Sequence, residues 1–255
     1  MTNRDGRSQD TAAIRALLDG DRPWAVYALG DLDPRRARFC DWYVQGESIA
    51  LLYREFATPI LFALGASAVL DAVPPVDACL LQVPESFLPA LQRCFRLDRL
   101  RMMHRMVLAP EAFAQPAGDP GVEALDESHE QDLLELYADG HDSEEEPDFF
   151  MRSQLQDATF FGVRREGRLV AAGGTHLYSE QESVAAIGNV YTHRAHRGRR
   201  HASAVTAAIV RRLLERGTRT IGLNVRRGND AAVHVYQRLG FRHHSDFWEG
   251  LAIHP

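Results

Sequence analysis

Hydrophobic periodicity changes along the C-terminal half from the two-residue repeat of strands to the spacing of helices. Apolar residues recur at helical spacing at Ala202, Val205, Ala208, Ile209 and Leu213, and Gly217 is a natural helix stop. The pattern therefore predicts, in chain order, a strand at Val184–Thr192, a helix at Ala202–Arg216, a strand at Thr220–Val225, and a helix at Ala231–Leu239 that ends at Gly240.

Helical and alternating segments also precede this region. Helices are predicted at Ser128–Ala138 and Phe149–Leu155. Strands at Thr159–Arg164 and Leu169–Tyr178 are expected to pair as a hairpin around Glu166 and Gly167. The segment from 121 onwards therefore mixes strands and helices and predicts a sheet with helices packed on it.

The N-terminal half predicts a second α/β region. Its elements are a capped helix near Asp10–Leu18, strands at Ser48–Tyr53, Pro59–Leu64 and Cys79–Val83, a helix at Glu85–Phe95, and a strand with packing residues Met102, Met103 and Met106. Between Ala109 and Gly121, proline, glycine, alanine and glutamine replace periodic structure. We therefore predict two domains, 1–115 and 121–255.

Composition agrees with a globular protein whose ligand is small. The 255 residues are 45% hydrophobic, and the net charge is −6. An acidic chain is not expected to bind nucleic acid or anionic membranes. Cys40, Cys79 and Cys94 lack metal-ligand or redox spacing, so we expect free thiols. Because the N-terminus is also polar, we expect a cytoplasmic protein. We further expect a monomer or a homodimer.

Local charge departs from this average directly after the strand Val184–Thr192. Four arginines, Arg194, Arg197, Arg199 and Arg200, surround Gly198 where the next helix begins. Unsatisfied amides and the helix dipole attract anions at a helix N-terminus, which predicts a phosphate site. A P-loop is excluded because the chain has no lysine. A dinucleotide fingerprint is excluded because it needs three spaced glycines, and this turn contains only Gly198.

Two segments resemble the signatures of the GNAT superfamily of acyl-CoA-dependent N-acyltransferases. The turn Arg197-x-x-Arg200-x-Ala202 is similar to its Gln/Arg-x-x-Gly-x-Gly/Ala pyrophosphate loop, with Arg200 in place of the central glycine. The segment Asn229-x-x-Ala232-x-x-x-Tyr236-x-x-x-Gly240-Phe241 resembles the second signature. Both occur in the family's order between Val190 and Phe241.

The resemblance implies the fold, the co-substrate and the binding residues. It implies a GNAT-like mixed sheet flanked by helices across 121–255, with the N-terminal half either a degenerate copy or an unrelated α/β cap. It further implies acetyl-CoA as co-substrate, no metal, and a small-molecule or peptide amine as acceptor. The implied cofactor-binding residues are Val190, Tyr191, Thr192, Arg197, Gly198, Arg199, Arg200, His201, Ala202, Ser203, Asn229 and Tyr236.

Direct attack of the amine on the thioester is the implied reaction. Tyr236 matches the family's general acid, and a phenol of pKa ~10 is mismatched with a thiol of ~8.5 by only roughly 1.5 units. Where some members carry a glutamate base, alignment through Arg197 places Ala186. His176 and Glu182 are the nearest titratable candidates, and an amine of low pKa is the easier acceptor without a strong base.

Each assignment has an alternative. Tyr236 also fits a core aromatic, Asn229 a helix cap, and His176 a hydrogen-bonded strand residue. The acidic stretch Asp142–Asp148 fits either a solvated loop or an attractor for a cationic acceptor. The arginine turn also fits a nucleic-acid patch, although it has no interleaved aromatic residues. The substitutions at Arg200 and Ala186 would suit a non-catalytic acyl-CoA-binding or sensing module as well.

Overall fold

The architecture is taken from a computed structural model, which describes residues 7–116, 121–141, 147 and 149–255. The strands of the described residues are β1 (Cys40–Gln45), β2 (Ser48–Tyr53), β3 (Ile60–Leu64), β4 (Ala78–Val83), β5 (Arg96–Leu108), β6 (Val122–Leu125), β7 (Phe160–Arg165), β8 (Arg168–Ser179), β9 (Val184–Thr192), β10 (Thr220–Arg226) and β11 (Arg242–Ile253). The α-helices are α1 (Thr11–Asp19), α2 (Val26–Gly30), α3 (Leu88–Leu91), α4 (Glu130–Ala138), α5 (His201–Glu215) and α6 (Asp230–Arg238).

Contacts divide the chain into two compact units. The first comprises Met1–Arg105, Val225–Gly228 and His244–Pro255, and the second comprises Met106–Asn224 and Asn229–His243. This division assigns the C-terminal residues to the first unit, whereas the sequence placed them in the second of two domains. The ranges 1–115 and 121–255 therefore stay a prediction of domain organisation.

The first unit contains a mixed sheet with strand order β1-β2-β3-β4-β11-β5. Strands β1, β2 and β3 are antiparallel neighbours, β3 and β4 are parallel, and β4 and β11 are antiparallel. Every residue of β2 is buried, as expected for a strand that is covered on both faces. One core cluster of this unit joins Tyr43, Leu52, Leu81 and Phe87.

A fully buried arginine lies in the first unit. The Arg105 guanidinium lies 4.8 to 5.4 Å from the ring centroids of Tyr27, Trp24 and Phe247. Burial lowers its pKa to about 10, so the group is still charged at neutral pH. The faces of the aromatic rings attract the cation and offset part of its desolvation.

The second unit contains a mixed sheet with strand order β10-β9-β8-β7-β6. Strands β9 and β10 are parallel, and the other neighbours are antiparallel. Ala172 of β8 packs in one cluster with Leu133 and Tyr137 of α4, whereas the next residue, Gly173, leaves space against Val205 of α5. Because successive strand residues point to opposite faces, α4 and α5 cover opposite faces of this sheet.

The predicted fold class, a mixed sheet flanked by helices, is confirmed. The strand Val184–Thr192 has the predicted bounds, and α5 and α6 begin and end one residue before the predicted positions. The helix predicted at Glu85–Phe95 is shorter: a 3-10 turn at Glu85–Phe87 precedes α3, and β5 begins at Arg96. The helix therefore ends at Leu91, four residues before its predicted end.

The helix predicted at Phe149–Leu155 is wrong, because the structure has a 3-10 helix at Arg152–Asp157 there. The Gln154 side chain bonds to the Met151 N–H and the Phe149 carbonyl, which competes with helical hydrogen bonds. Strands β1, β6 and β11 were not predicted. The stretch Asp142–Asp148 lies outside the described residues except for Pro147. Among the described helices, none is long and apolar enough to span a membrane.

Gly240 provides a test of this fold. Its φ is +99°, and a Cβ atom built there would lie 2.0 Å from the backbone oxygen of Ala112. We expect Gly240→Ala to lower the free energy of unfolding by about 2–4 kcal/mol, because backbone strain and a clash add. Gly217→Ala is the matched control, since its φ is +76° with nothing within 4 Å, and it should cost about 1–2 kcal/mol. Equal losses in urea denaturation would contradict the clash.

Candidate functional site

Strand β9 separates from β10 halfway along its length. The parallel pairing runs from Thr220↔Val184 to Leu223↔Ile187 and ends there, although β9 continues to Thr192. Two residues beyond the last pair, Asn189 has a left-handed backbone with φ of 55°. The register between β8 and β9 shifts at the same point, between the pairs Gly174↔Gly188 and Ala172↔Tyr191. A bulge of this kind bends a strand and leaves backbone groups without a ladder partner. An extended ligand therefore finds hydrogen-bonding groups on β9 at this point.

The N-terminus of α5 is not capped by any residue that the structure describes. Within the described residues, no hydrogen bond is donated by the backbone N–H groups from Gly198 to Ser203, and no side chain caps the helix. Gly198 has φ of +75°, and Arg200 at the N-cap position has φ of 63°. The exposed amides and the helix dipole together favour an anion here.

Three side chains around this turn hold buried polar atoms without a partner among the described residues. They are Thr192 Oγ1, His196 Nδ1 and both ring nitrogens of His201. Burial, followed by the neighbouring Arg165, His196 and Arg199 side chains, lowers the pKa of His201, so its ring is neutral at pH 7. Buried polar atoms normally have partners, and a bound ligand or its waters would provide them here.

Asp139 fixes the start of the turn. Its carboxylate accepts hydrogen bonds of 2.9 Å from the Tyr191 hydroxyl and from the Arg194 backbone N–H. Burial alone would raise the pKa of Asp139, but these hydrogen bonds and the neighbouring His193 and Arg194 side chains hold it below its ordinary value. Sequence reasoning missed Asp139. Its one signal was an acidic residue at the C-terminus of α4, where the dipole opposes it.

The arginines of the turn have different roles. Arg197 donates from Nε to the Thr192 carbonyl at 3.2 Å, and its guanidinium lies 5.7 Å from the centroid of the Tyr191 ring. Arg197 is therefore partly a structural element of the turn. Arg199 is exposed. Arg200 adopts the left-handed conformation that glycine adopts most readily, so the arginine at the position of the family's glycine still permits the turn.

Asn229 and Tyr236 both belong to α6. Asn229 is the N-cap, and its side chain accepts from the Ala232 N–H at 3.1 Å. Tyr236 is 8% exposed and packs edge-on against Phe241, with ring centroids 5.9 Å apart. The predicted cap and the predicted aromatic packing are both present. These contacts leave the roles of Asn229 and Tyr236 in acyl transfer as predictions.

The two candidate bases lie at different places along β9. The His176 ring lies over Gly188, where a Cβ atom would come within 2.3 Å of the ring, and this is the point at which β9 leaves β10. Glu182 is buried in the turn before β9. That turn is at the opposite end of β9 from the arginine turn, and the strand between them spans about 26 Å at ~3.3 Å per residue.

Comparison with known proteins finds one family model that matches part of the chain. Residues 123–241, slightly less than half of the chain, match the model of the acetyltransferase (GNAT) family. No curated protein matches the chain in sequence.

Solved structures resemble the chain over nearly its whole length. A protein described as a GNAT-family acetyltransferase, from Novosphingobium aromaticivorans DSM 12444, has a TM-score of 0.64 at 21% identity and covers 92% of this chain and 100% of its own. A GCN5-related N-acetyltransferase from Kribbella flavida has 0.63 at 15%, covering 97% of each chain. A tandem GNAT protein from the clavulanic acid biosynthesis pathway has 0.58 at 14%, covering 96% of each. At these identities the likeness shows the fold.

The Asp139 contacts predict a pH-dependent stability. We expect Asp139→Asn to lower the free energy of unfolding at pH 7 by about 1–3 kcal/mol, because charge-assisted hydrogen bonds are lost. Because the folded-state pKa is lowered, the stabilisation is present at neutral pH and is lost as the pH falls through that pKa. Parent and variant should therefore converge in acid during urea titrations.

Asp132→Asn is the matched control for this prediction. Asp132 lies on the same helix and pairs with Arg164 at a more exposed position, so its loss should cost about 0–1 kcal/mol. A cost for Asp139→Asn no larger than that of the control would contradict the anchoring role.

Proposed function

Since residues 123–241 match the model of the acetyltransferase (GNAT) family, we propose that this chain transfers an acetyl group from acetyl-CoA to a primary amine. The observation that carries the proposal is the uncapped N-terminus of α5. Its consecutive backbone N–H groups, Gly198 to Ser203, have no acceptor among the described residues. Together with Arg199 and the helix dipole, they form an anion site suited to the pyrophosphate of CoA.

The separation of β9 from β10 supports a position for the rest of the co-substrate. With the pyrophosphate at the turn, the pantetheine would extend along the unpaired part of β9 towards Gly188. Its amide groups would satisfy backbone groups that the sheet leaves without partners. Backbone N–H groups between Val190 and Thr192 could then stabilise the oxyanion that forms at the thioester carbonyl. Holding amine and thioester together supplies much of the rate.

The chemical step needs two side chains, an acid that protonates the leaving sulfur and a base that accepts a proton from the attacking nitrogen. The amine nitrogen bonds to the carbonyl carbon, the C–S bond breaks, and the sulfur takes the proton of the Tyr236 hydroxyl. The amide nitrogen loses one proton, which a base accepts and returns through solvent to the tyrosinate. We assign the base to His176 rather than Glu182, because His176 lies where β9 and β10 separate.

Burial changes the acidity of the proposed acid. It raises the pKa of Tyr236 to about 12, so the phenol is protonated at pH 7 and available as a donor. Transfer to a thiolate of pKa ~8.5 is then uphill by roughly 3.5 units, or about 5 kcal/mol. A thiol in the same buried surroundings would also have a raised pKa, which reduces the difference between its pKa and that of Tyr236.

Binding tests the anion site directly. CoA and acetyl-CoA should bind in calorimetry, and pantetheine should bind at least about 10-fold more weakly because it lacks the phosphates. Arg199→Ala should weaken CoA without loss of stability, whereas Arg168→Ala, an exposed arginine on the β7–β8 hairpin, should not. Equal affinity for CoA and pantetheine would place the phosphates elsewhere.

Turnover tests the role of Tyr236. Tyr236→Phe keeps the ring that packs on Phe241, so folding and the Kd for CoA should change little. If the hydroxyl protonates the leaving sulfur, kcat should fall by roughly 10²–10⁴-fold. The measurement is steady-state release of CoA thiol with an amine that the parent acetylates. A variant within a few-fold of the parent would remove Tyr236 from the mechanism.

A further inference from the structure

A chain of hydrogen bonds leads from the backbone to the ring of His176. It begins at two groups whose polarity cannot be reversed, the Met151 N–H and the Phe149 carbonyl. Gln154 Oε1 accepts from Met151 N at 3.2 Å, and Gln154 Nε2 donates to Phe149 O at 2.9 Å. A flipped amide would oppose donor to donor and acceptor to acceptor, so only one orientation of Gln154 satisfies both groups.

The orientation of Gln154 fixes that of Asn189. Both side chains are 4% exposed, so water does not readily replace a lost partner. Asn189 Nδ2 donates to Gln154 Oε1 at 2.9 Å. Because that oxygen can only accept, Asn189 must present its NH2 group to Gln154 and its oxygen in the other direction.

The orientation of Asn189 in turn fixes the proton on His176. Asn189 Oδ1 lies 3.2 Å from His176 Nε2. An amide oxygen has no proton to give, so Nε2 must carry the hydrogen of the neutral ring. We propose that Gln154 and Asn189 are positioning residues that hold His176 as the Nε2–H tautomer, so that Nδ1 is the nitrogen that accepts the proton of the acceptor amine.

The backbone holds this arrangement at the point where β9 leaves β10. Asn189 has a left-handed conformation, which asparagine tolerates better than most residues, and its carbonyl accepts from the Tyr137 hydroxyl at 3.0 Å. Gly188 leaves room for the His176 ring directly above it. The ring therefore occupies the space above Gly188, and the Asn189 amide contacts its Nε2 atom.

This arrangement suits a base, and the catalytic part of the inference rests on the proposed function. When Nδ1 takes the proton, Nε2–H continues to donate to Asn189 Oδ1, so neither protonation state leaves that amide unsatisfied. The imidazolium then releases its proton to solvent, from which the tyrosinate of Tyr236 is reprotonated. The network needs no rearrangement between the two states, which lowers the cost of the transfer.

The tautomer can be measured without any substrate. Long-range 1H–15N correlation spectra of protein labelled with 15N-histidine distinguish the two neutral forms, and the His176 signals are assigned by their loss in His176→Gln. We expect the Nε2–H form in the parent at a pH where the ring is neutral. The Nδ1–H form, or an even mixture, would overturn the proposal whatever the activity.

Variants separate positioning from general packing. Gln154→Met keeps the volume but releases Asn189, so the tautomers should mix and kcat should fall about 10-fold, with KM for acetyl-CoA within about two-fold. Gln156→Met is the matched control on the same 3-10 turn, because Gln156 is exposed and bonds only to Glu127 among the described residues. It should change neither quantity.

Two results would overturn the catalytic assignment. One is His176→Gln with turnover within a few-fold of the parent, and the other is Gln154→Met with an unchanged tautomer and kcat. Failure of the proposed function is distinguishable from both, because it would appear as absent CoA binding and absent turnover in the parent itself.

Discussion

The left-handed backbone of Asn189 is the constraint on which the site depends. The pairing of β9 with β10 ends at Ile187, two residues before Asn189, and the register between β8 and β9 shifts around Asn189. The same residue accepts from Tyr137 on its backbone and joins His176 to Gln154 through its amide. A conformation of this kind costs energy for any residue other than glycine, and the surrounding hydrogen bonds compensate for it. The end of the β9–β10 pairing and the contact to the candidate base thus meet at one residue.

The positive charges of the arginine turn lie beside the backbone N–H groups at the start of α5 that have no acceptor among the described residues. The chain is acidic overall, at −6, and the arginine turn opposes that average only locally. Asp139 holds the start of the turn through Tyr191 and Arg194, while Arg197 bonds to the Thr192 carbonyl. These contacts fix the turn before any ligand arrives, and a preformed site loses less entropy on binding.

The first unit is included in the structural similarity to solved proteins, but its sequence does not repeat the arginine turn. The solved structures cover more than nine-tenths of this chain, so the similarity includes the N-terminal half. Its most unusual feature is Arg105, a buried cation whose guanidinium lies near three aromatic rings. A buried charge without an ion pair is expensive, and the aromatic faces explain how this fold tolerates it.

Local patterns in the sequence determined the elements that carry the proposed cofactor site. The strand Val184–Thr192, helix α5 and the capped helix α6 were predicted because periodicity, caps and turn glycines act within a few residues. Tertiary structure alone decided the roles of Asp139, Gln154 and Asn189, each of which has a hydrogen-bond partner 13 to 55 residues away in the chain. It also ended the β9–β10 pairing and turned the helix predicted at Phe149–Leu155 into a 3-10 helix. Periodicity carries no information about which distant residues meet, and these meetings fix the hydrogen bonds of the site.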